Sequence, residues 1–331
     1  MPKKTLYLQM FSIHGLVRAQ NMELGRDSDT GGQIKYVIEL CKTLSKNEAI
    51  GKVDLFTRLI KDKAYSSDYS LPIEQVNDKF RIIRIQCGGR KYIRKERLWP
   101  FLDEFVDKTI RFIKLEEAIP DILHGHYPDA GYVAKELARV FGIPFVYTGH
   151  SLGRSKKARL LGEGLIIDDI NKKLKIDHRI NVEEQILKYA DLVVTSTNQE
   201  INEQYDLYRN RTLPKYEVIP PGIGIEKFYP FYHNDFSTSE QKEEALFTKE
   251  SLNRELNRFF QHPDKPMILV LCRPDKRKNI EGLIQAYGED IDLQAIANLA
   301  VFAGIRKDIT KKSDSERDVL TRMLLLMDKY N

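Results

Sequence analysis

At residues 122–141 the sequence reads ILHGHYPDAGYVAKELARVF, and within it an apolar run gives way to a helix-like pattern. The first three residues suit a buried strand, and the segment with glycine and proline that follows is typical of a turn opening a helix. Strand, polar turn and amphipathic helix in this order indicate a parallel sheet covered by helices. The same unit is found repeatedly along the chain, which predicts an α/β fold.

Apolar runs alternate with amphipathic stretches over the first two thirds of the chain. The predicted strands are Thr5–Phe11, Val53–Leu59, Arg81–Gln86, Ile122–His124, Pro144–Tyr147, Leu192–Thr195 and Glu217–Ile219. The predicted helices are Gln33–Lys46, Trp99–Leu115, Gly131–Phe141, Ile167–Tyr189 and Asn198–Tyr208. Seven strands joined by long crossovers describe one doubly wound, Rossmann-like domain over residues 1–218.

A second α/β unit is predicted over residues 219–331. The stiff segment Ile219–Gly224 ends the first pattern, and the polar stretch His233–Glu250 predicts a surface loop or an insertion. The predicted elements that follow are helix Leu252–Gln261, strand Met267–Leu271, helix Ile280–Tyr287, strand Leu299–Phe302 and helix Glu316–Tyr330. Because two strands cannot complete a doubly wound sheet, this second domain is expected to be incomplete.

Composition excludes several classes of protein. The 331 residues carry 53 Lys and Arg against 48 Asp and Glu, a net charge of +5 that is too weak to predict binding to nucleic acid or membranes. No apolar run approaches the roughly 18 residues of a membrane span, and the N-terminus lacks the pattern of a signal peptide. Three distant cysteines indicate neither a disulfide framework nor a zinc site. The cytoplasm is the expected compartment.

Two motifs that lie between a strand and a helix could bind a ligand. Asp29-Thr30-Gly31-Gly32-Gln33 opens a helix, where backbone N–H groups favour phosphate or sugar oxygens. An ordinary turn with Thr30 as the helix cap remains an alternative. His124-Gly125-His126-Tyr127 lies at the end of a strand, but no third ligand stands at a matching spacing, so no metal site is predicted. These side chains could instead line a sugar pocket or simply be hydrogen-bonded polar residues of a turn.

The segment Gly149-His150-Ser151-Leu152-Gly153 allows two interpretations. His150 and Ser151 could line a ligand pocket at the end of a strand, with Lys156 reaching a bound anion. The segment also fits the G-x-S-x-G pattern of a serine hydrolase. Against that alternative, the later histidines, at 178, 233 and 262, do not follow evident strands.

A cluster of cations, Arg273-Pro274-Asp275-Lys276-Arg277-Lys278-Asn279, follows the apolar strand of the second unit. Several positive charges at the carboxyl end of a strand suit a diphosphate. A solvated loop is the alternative, but the position at a strand end favours a binding role.

Taken in order along the chain, these motifs resemble the signatures of sucrose-phosphate synthases. That family belongs to the retaining, two-domain (GT-B) glycosyltransferases related to sucrose synthase. The segments that carry the resemblance are Asp29–Gln33, His124–Tyr127, Thr148–Gly153, Thr195–Glu200, Ile219–Gly222 and Arg273–Asn279. The resemblance implies an α/β fold of GT-B type, with a complete N-terminal Rossmann-like domain for the acceptor and an incomplete second Rossmann-like domain for the nucleotide sugar.

The resemblance also implies an activity and a set of site residues. Members of the family transfer glucose from UDP-glucose to the 2-hydroxyl of fructose 6-phosphate with retention, giving sucrose 6-phosphate and UDP. The implied acceptor-binding residues are Gly31, Gln33, Lys95, Tyr127, Ser151, Lys156 and Arg179, of which the three cations would hold the 6-phosphate. His150 matches the active-site histidine beside the transferred glucose, and Arg273 and Lys278 match the pair that holds the donor diphosphate. Neither a metal nor another cofactor is expected, because fixed cations can stabilise the departing UDP.

Two departures from the family pattern limit what the resemblance implies. Ile305 stands where the family usually has asparagine, which puts a donor contact from that loop in doubt. The glutamate pair at E-x7-E spacing in the second domain is absent from these residues. The chain is therefore expected to be the N-terminal portion of a sucrose-phosphate synthase with little or no activity by itself. A relative with another acceptor, such as free fructose, and a non-catalytic sugar-phosphate-binding protein remain alternatives.

Overall fold

The computed structural model of the protein describes residues 5–26, 29–224, 228, 236, 238–303, 308–311 and 314–330. Two compact units divide the chain, residues 1–223 and residues 224–331. Among the described residues, no helix is long and apolar enough to cross a membrane.

In the described part of the first unit, eight strands form one sheet in the order β3-β4-β2-β1-β5-β6-β7-β8. The strands are β1 (Leu6–Phe11), β2 (Ile50–Arg58), β3 (Ile73–Gln75), β4 (Phe80–Ile85), β5 (Ile122–His126), β6 (Phe145–Thr148), β7 (Leu192–Thr195) and β8 (Lys215–Val218). All seven predicted strands are confirmed, and they pair with one another in parallel. The short strand β3 was not predicted and pairs antiparallel with β4 at the edge of the sheet.

Helices cover both faces of this sheet. They are α1 (Gly32–Lys46), α2 (Leu102–Leu115), α3 (Pro128–Phe141), α4 (Gly153–Gly162), α5 (Ile167–Leu174) and α6 (Ile176–Tyr189). On one face α1 packs through Ile34 and Ile38 onto Met10 of β1. On the other face α2, α3 and α6 bury the neighbouring residue Phe11 and its partners. Because neighbouring strand residues point to opposite faces, both faces are apolar, as in doubly wound domains.

Two helix predictions in this unit are wrong. The stretch predicted as one helix over Ile167–Tyr189 is broken at Lys175, which adopts a left-handed conformation with φ 51°. Ile170 and Ile176 lie on different faces of a continuous helix, so the break allows both to be buried. The predicted helix Asn198–Tyr208 is instead a π-helical turn, Glu200–Gln204, followed by a 3₁₀ turn, Tyr205–Leu207.

The second unit contains, among its described residues, two parallel strands and four helices. They are α7 (Ser239–Leu256), β9 (Met267–Leu271), α8 (Ile280–Glu289), α9 (Ile291–Ile296), β10 (Asn298–Phe302) and α10 (Asp314–Tyr330). A small core forms where α8 and α10 meet, around Ile284 and Met323. On the other face of β9, Leu269 and Leu271 are 52% and 76% exposed.

His233–Glu250 was predicted to be a surface loop or an insertion, and the loop alternative is wrong from Ser239 onward, where α7 begins. Residues 233–235 and 237 lie outside the described part of the chain. The hydroxyl of Thr238 accepts from the backbone N–H of Gln241 and caps the helix. The charged, alanine- and leucine-containing sequence after it has high helix propensity, which explains a helix without a buried face.

Gly125 should be intolerant of a side chain because it lies in β5 where the strand packs closely against the start of α3. A Cβ added there would lie 2.8 Å from Cα of Gly131 and 2.9 Å from the carbonyl oxygen of Ala130. Since backbone atoms cannot move aside, we expect Gly125→Ala to lower the free energy of unfolding by about 1–3 kcal/mol. Urea unfolding followed by circular dichroism measures this.

Gly162→Ala is the matched control, because no described atom lies within 4 Å of its added Cβ. That change should alter stability by no more than about 0.5 kcal/mol. Equal unfolding midpoints for the two variants would contradict the close packing of β5 against α3.

Candidate functional site

The candidate site lies at the carboxyl edge of the first unit's sheet, the edge at which parallel α/β sheets bind ligands. Tyr127 follows β5, and His150 and Ser151 follow β6. Tyr127 and His150 both have left-handed backbones, with φ 77° and 56°. Such conformations are unfavourable for residues other than glycine and are often found at functional positions.

Arg179 of α6 is the centre of this site and is only 4% exposed. Its Nη1 donates to Oη of Tyr127 at 2.7 Å, and its Nη2 donates to Oγ of Ser151 at 3.1 Å. The guanidinium also lies over the Tyr127 ring, 4.6 Å from the centroid. Three residues predicted for the acceptor site are therefore in direct contact.

Glu183, one turn along α6, holds Arg179 in place. Nε of Arg179 donates to Oε1 of Glu183 at 2.8 Å, and the carboxylate is 1% exposed. Burial acts to lower the pKa of Arg179, but the negative charge of Glu183 outweighs it and raises the pKa. The same carboxylate accepts from the backbone N–H of Gly153 at the start of α4 and from the hydroxyl of Tyr208. Sequence reasoning missed Glu183, although its i, i+4 spacing from Arg179 is a signal for such a pair.

Lys95, Lys156 and Arg179 line one pocket. Its other lining residues are Glu96, Trp99, Tyr127, Leu174 and Ile176. Lys95 forms an ion pair with the buried carboxylate of Asp29, and its backbone N–H donates to the same group at 3.0 Å. Burial acts to raise the pKa of Asp29, but Lys95 lowers it. The structure thus brings together the three cations predicted to hold a phosphate.

Lys156 differs from the other two cations because it has no ion pair with any described residue. Burial lowers its pKa to about 8, and the charges of Arg179 and Lys95 act in the same direction. Its ammonium group is therefore destabilised in the ligand-free protein. A bound anion would supply the missing negative charge.

The start of α1 approaches the same edge of the sheet. Gly31 is the residue at the N-cap of α1, so the alternative with Thr30 as the cap is wrong. Nε2 of Gln33 lies 3.4 Å from the backbone oxygen of His126 and 3.5 Å from Oγ of Ser12. Asp27 and Ser28, in the loop before α1, lie outside the described residues.

Histidines form a second part of the site. Nδ1 of His126 lies 3.0 Å from Nε2 of His150, and the His124 ring stacks on His126 at 4.1 Å between centroids. Desolvation by the surrounding protein lowers the pKa of each of these three histidines, although part of the His150 side chain is open to solvent, so they are neutral at pH 7. Among the described residues, no group of three or more histidines, cysteines or carboxylates is placed to hold a metal ion. The absence of a metal cofactor stays a prediction.

His14 and Asp129 were missed by sequence reasoning. Nδ1 of His14 donates to Oδ2 of Asp129 at 2.8 Å, and both side chains are buried. The His14 ring packs edge-on against Tyr127 with 4.7 Å between centroids. The pair therefore supports the turn in which Tyr127 takes its left-handed conformation. An isolated histidine in a loop after β1 gives no signal from which this contact could be predicted.

The geometry around Ser151 does not favour a serine hydrolase. Its Oγ accepts from Arg179, which cannot act as a base. The neighbouring His150 is instead hydrogen-bonded to His126. In the described part of the chain, no histidine is hydrogen-bonded to Ser151.

Arg273 and Lys278 lie in the second unit. Arg273 follows β9, and Lys278 ends a 3₁₀ turn, Lys276–Lys278, before α8. Both are exposed. The nearby carboxylate of Asp275 accepts from Nε of Arg277 at 2.9 Å. Ile305 lies outside the described residues, so the doubt about a donor contact from that loop is not tested.

Comparison with known proteins identifies similar sequences and folds. A family model described as "Sucrose synthase first GT-B domain" matches residues 3–247. Sucrose-phosphate synthase 4 of Arabidopsis thaliana is 40% identical over 388 aligned positions, which include 99% of this chain and 36% of that protein. The chain therefore spans about a third of the length of the curated relatives it matches.

Two solved structures share the fold. The sucrose-phosphate synthase of Thermosynechococcus elongatus superposes with a TM-score of 0.65 at 24% identity, covering 98% of this chain and 68% of that one. The HepE protein of Anabaena, solved in complex with UDP-glucose, has a TM-score of 0.54 at 11% identity, covering 98% of this chain and 66% of that one.

Lys156→Met should stabilise the ligand-free protein at pH 7 by roughly 1–3 kcal/mol, because it removes a poorly solvated charge without a partner. The folded protein releases the Lys156 proton near pH 8, whereas an unfolded lysine keeps it to about pH 10. The unfolded state therefore binds more protons between these values, and the wild type regains stability as pH rises. Urea unfolding at pH 7 and 9.5 measures the difference.

Two variants control this measurement. Lys157→Met removes a neighbouring lysine that pairs with Asp177 and should change little. Arg179→Met leaves Glu183 buried without its partner and should cost about 3–5 kcal/mol. If Lys156→Met destabilised the protein as Arg179→Met does, Lys156 would have a structural role instead.

Proposed function

Because this chain belongs to the GT-B family of the sucrose synthase first domain, we propose that it carries the acceptor-binding part of a sucrose-phosphate synthase. The whole protein would transfer glucose from UDP-glucose to fructose 6-phosphate and produce sucrose 6-phosphate and UDP. The observation that carries this proposal is the partly buried ammonium of Lys156, which lies beside Arg179 and Lys95 and has no ion pair among the described residues. A phosphate dianion would compensate that charge.

In the proposed acceptor complex, the phosphate lies among Lys95, Lys156 and Arg179. Arg179 is already oriented by Glu183 and Tyr127, so it would contribute a fixed charge with little loss of side-chain freedom. Tyr127 and Ser151 would line the sugar pocket beside it. Gly31 and Gln33 would contact the fructosyl moiety from the start of α1.

The remaining assignments concern the transferred glucose and the donor. His150 would lie beside the glucose, and Arg273 and Lys278 of the second unit would hold the diphosphate of UDP-glucose. The complex of the related Anabaena fold with UDP-glucose supports this class of donor. Cations at the diphosphate would stabilise the charge that develops on the departing UDP.

Retention follows if the acceptor attacks the face from which UDP leaves. The bond from glucose C1 to the UDP oxygen breaks, and a bond from C1 to the 2-hydroxyl oxygen of fructose 6-phosphate forms. The hydroxyl proton passes to the departing phosphate oxygen. No protein nucleophile is required in this scheme. The cytoplasmic location stays a prediction.

Trp99 gives a direct test of the acceptor, since it is the single tryptophan of the chain and lines the pocket. We expect its fluorescence to respond to fructose 6-phosphate at concentrations on the order of 100-fold lower than to fructose, because charged hydrogen bonds hold the phosphate. Lys156→Met should weaken binding of fructose 6-phosphate by roughly 10- to 100-fold. Lys157→Met is the matched control and should leave it unchanged.

Two results would overturn the assignment. Equal affinities for fructose and fructose 6-phosphate would favour an acceptor site like that of sucrose synthase. An unchanged affinity for fructose 6-phosphate in Lys156→Met would show that the phosphate does not bind in this pocket.

The affinity for fructose 6-phosphate should fall as pH rises through about 8. Binding favours the charged form of Lys156, whose pKa in the ligand-free pocket is about 8. Tyr127 does not interfere, because burial raises its pKa. Titrations with Trp99 fluorescence between pH 7 and 9.5 measure the decline.

Lys156→Arg provides the control, since arginine stays charged over this range. Its affinity should be nearly constant from pH 7 to 9.5. If the wild-type affinity were equally constant, Lys156 would not be the titrating group at the phosphate.

A further inference from the structure

His126 and His150 form a hydrogen bond through their rings, and each ring carries one proton because both are neutral at pH 7. Nδ1 of His126 and Nε2 of His150 are the two nitrogens that share it, 3.0 Å apart. One ring must therefore donate and the other accept. The direction of this bond decides which nitrogen of His150 carries its own proton.

The environment of His126 favours one direction. His126 is fully buried, and its Nε2 has no hydrogen-bond partner among the described residues. If His150 donated, His126 would carry its proton on Nε2 as a buried N–H without an acceptor. Orphaned N–H groups are rarer in folded proteins than acceptors with an unused lone pair. The arrangement in which His126 donates from Nδ1 leaves only a lone pair at Nε2.

A donor at His126 has a consequence for His150. Its Nε2 accepts, so the neutral ring carries its proton on Nδ1, the reverse of the form that prevails for imidazoles in water. The ring of Tyr36 packs edge-on against both histidines, at 5.2 Å from His150 and 6.0 Å from His126, and limits their rotation. His150 remains exposed while its Nε2 is occupied, which leaves Nδ1 for a ligand.

We propose that His126 is a positioning residue that fixes His150 as an Nδ1–H donor to an oxygen of the bound sugar. That this ligand is a sugar rests on the proposed function. The direction of the hydrogen bond rests only on burial and geometry in the ligand-free protein. The left-handed backbone of His150 is consistent with this role, because it places the Nδ1–H at the edge of the sheet.

The test is the tautomeric state of His150 in the full chain labelled with ¹⁵N-histidine. A two-bond ¹H–¹⁵N correlation spectrum at pH 7.5 distinguishes protonated from bare ring nitrogens, and the spectrum of His150→Gln assigns the His150 signals. We expect a protonated Nδ1 and a bare Nε2 for His150 and likewise for His126. A protonated Nε2 on His150 would overturn the proposal.

Two variants separate positioning from general structure. His126→Leu removes the donor and should return His150 to the Nε2–H form. Thr148→Val breaks only the 2.9 Å contact between Oγ1 of Thr148 and Nε2 of His124, and should leave His150 unchanged. If Thr148→Val changed the tautomer of His150 as much as His126→Leu does, a specific role of His126 would be contradicted. If His126→Leu does not fold, the wild-type spectrum still shows which nitrogen of His150 is protonated and so tests the proposal.

These outcomes are distinguishable from failure of the proposed function. If the His150 tautomer is as expected but Trp99 does not respond to fructose 6-phosphate, the function fails and the positioning role stands. If Trp99 responds to fructose 6-phosphate but the His150 tautomer is not as expected, the proposed function stands and the role of His126 fails.

Discussion

The buried ion pair between Arg179 and Glu183 is the interaction on which the candidate site depends. A guanidinium this far from water loses its hydration and requires both a negative partner and hydrogen-bond acceptors. Glu183 provides the charge, and Tyr127 and Ser151 provide acceptors from two other strand ends. Because Glu183 also accepts from Gly153 at the start of α4, its carboxylate connects α4 to α6, and Arg179 connects the same pair to the turn after β5 through Tyr127. The pocket is thus formed before any ligand arrives.

The sheet could be predicted because its strands are apolar on both faces and bounded by turn residues. Strand β3 escaped prediction, since it has three residues and lies at the sheet edge. The break between α5 and α6 could not be predicted either, because a lysine in a left-handed conformation gives no sequence signal comparable to glycine. Helix α4 was missed because its sequence, GRSKKARLLG, is polar and buries only Gly153.

The site was predictable to the extent that strand ends identify it. Tyr127, His150 and Ser151 directly follow parallel strands, so their convergence follows from topology. Lys95 and Arg179 belong to a short turn and a helix, and only the resemblance to a known family indicated their role. Asp29 and Glu183 were not predicted to pair with these cations, since the sequence alone does not indicate which cation a carboxylate will contact. The same holds for His14 and Asp129, which are 115 residues apart.

Burial divides the site into two parts of different charge. Desolvation acts on lysine and histidine in the same direction, lowering the pKa of each. A lysine begins from a high value, so Lys156 remains largely protonated at pH 7 with a pKa of about 8. The histidines begin near 6.5, so the same effect leaves His124, His126 and His150 neutral. Positive charge is therefore concentrated around Lys156 and Arg179, while the histidines offer hydrogen bonds without charge. A sugar phosphate is likewise divided into a charged part and a neutral part, with a dianion at one end and neutral hydroxyl groups along the rest. The site is complementary to such a ligand because burial acts on residues of different intrinsic basicity.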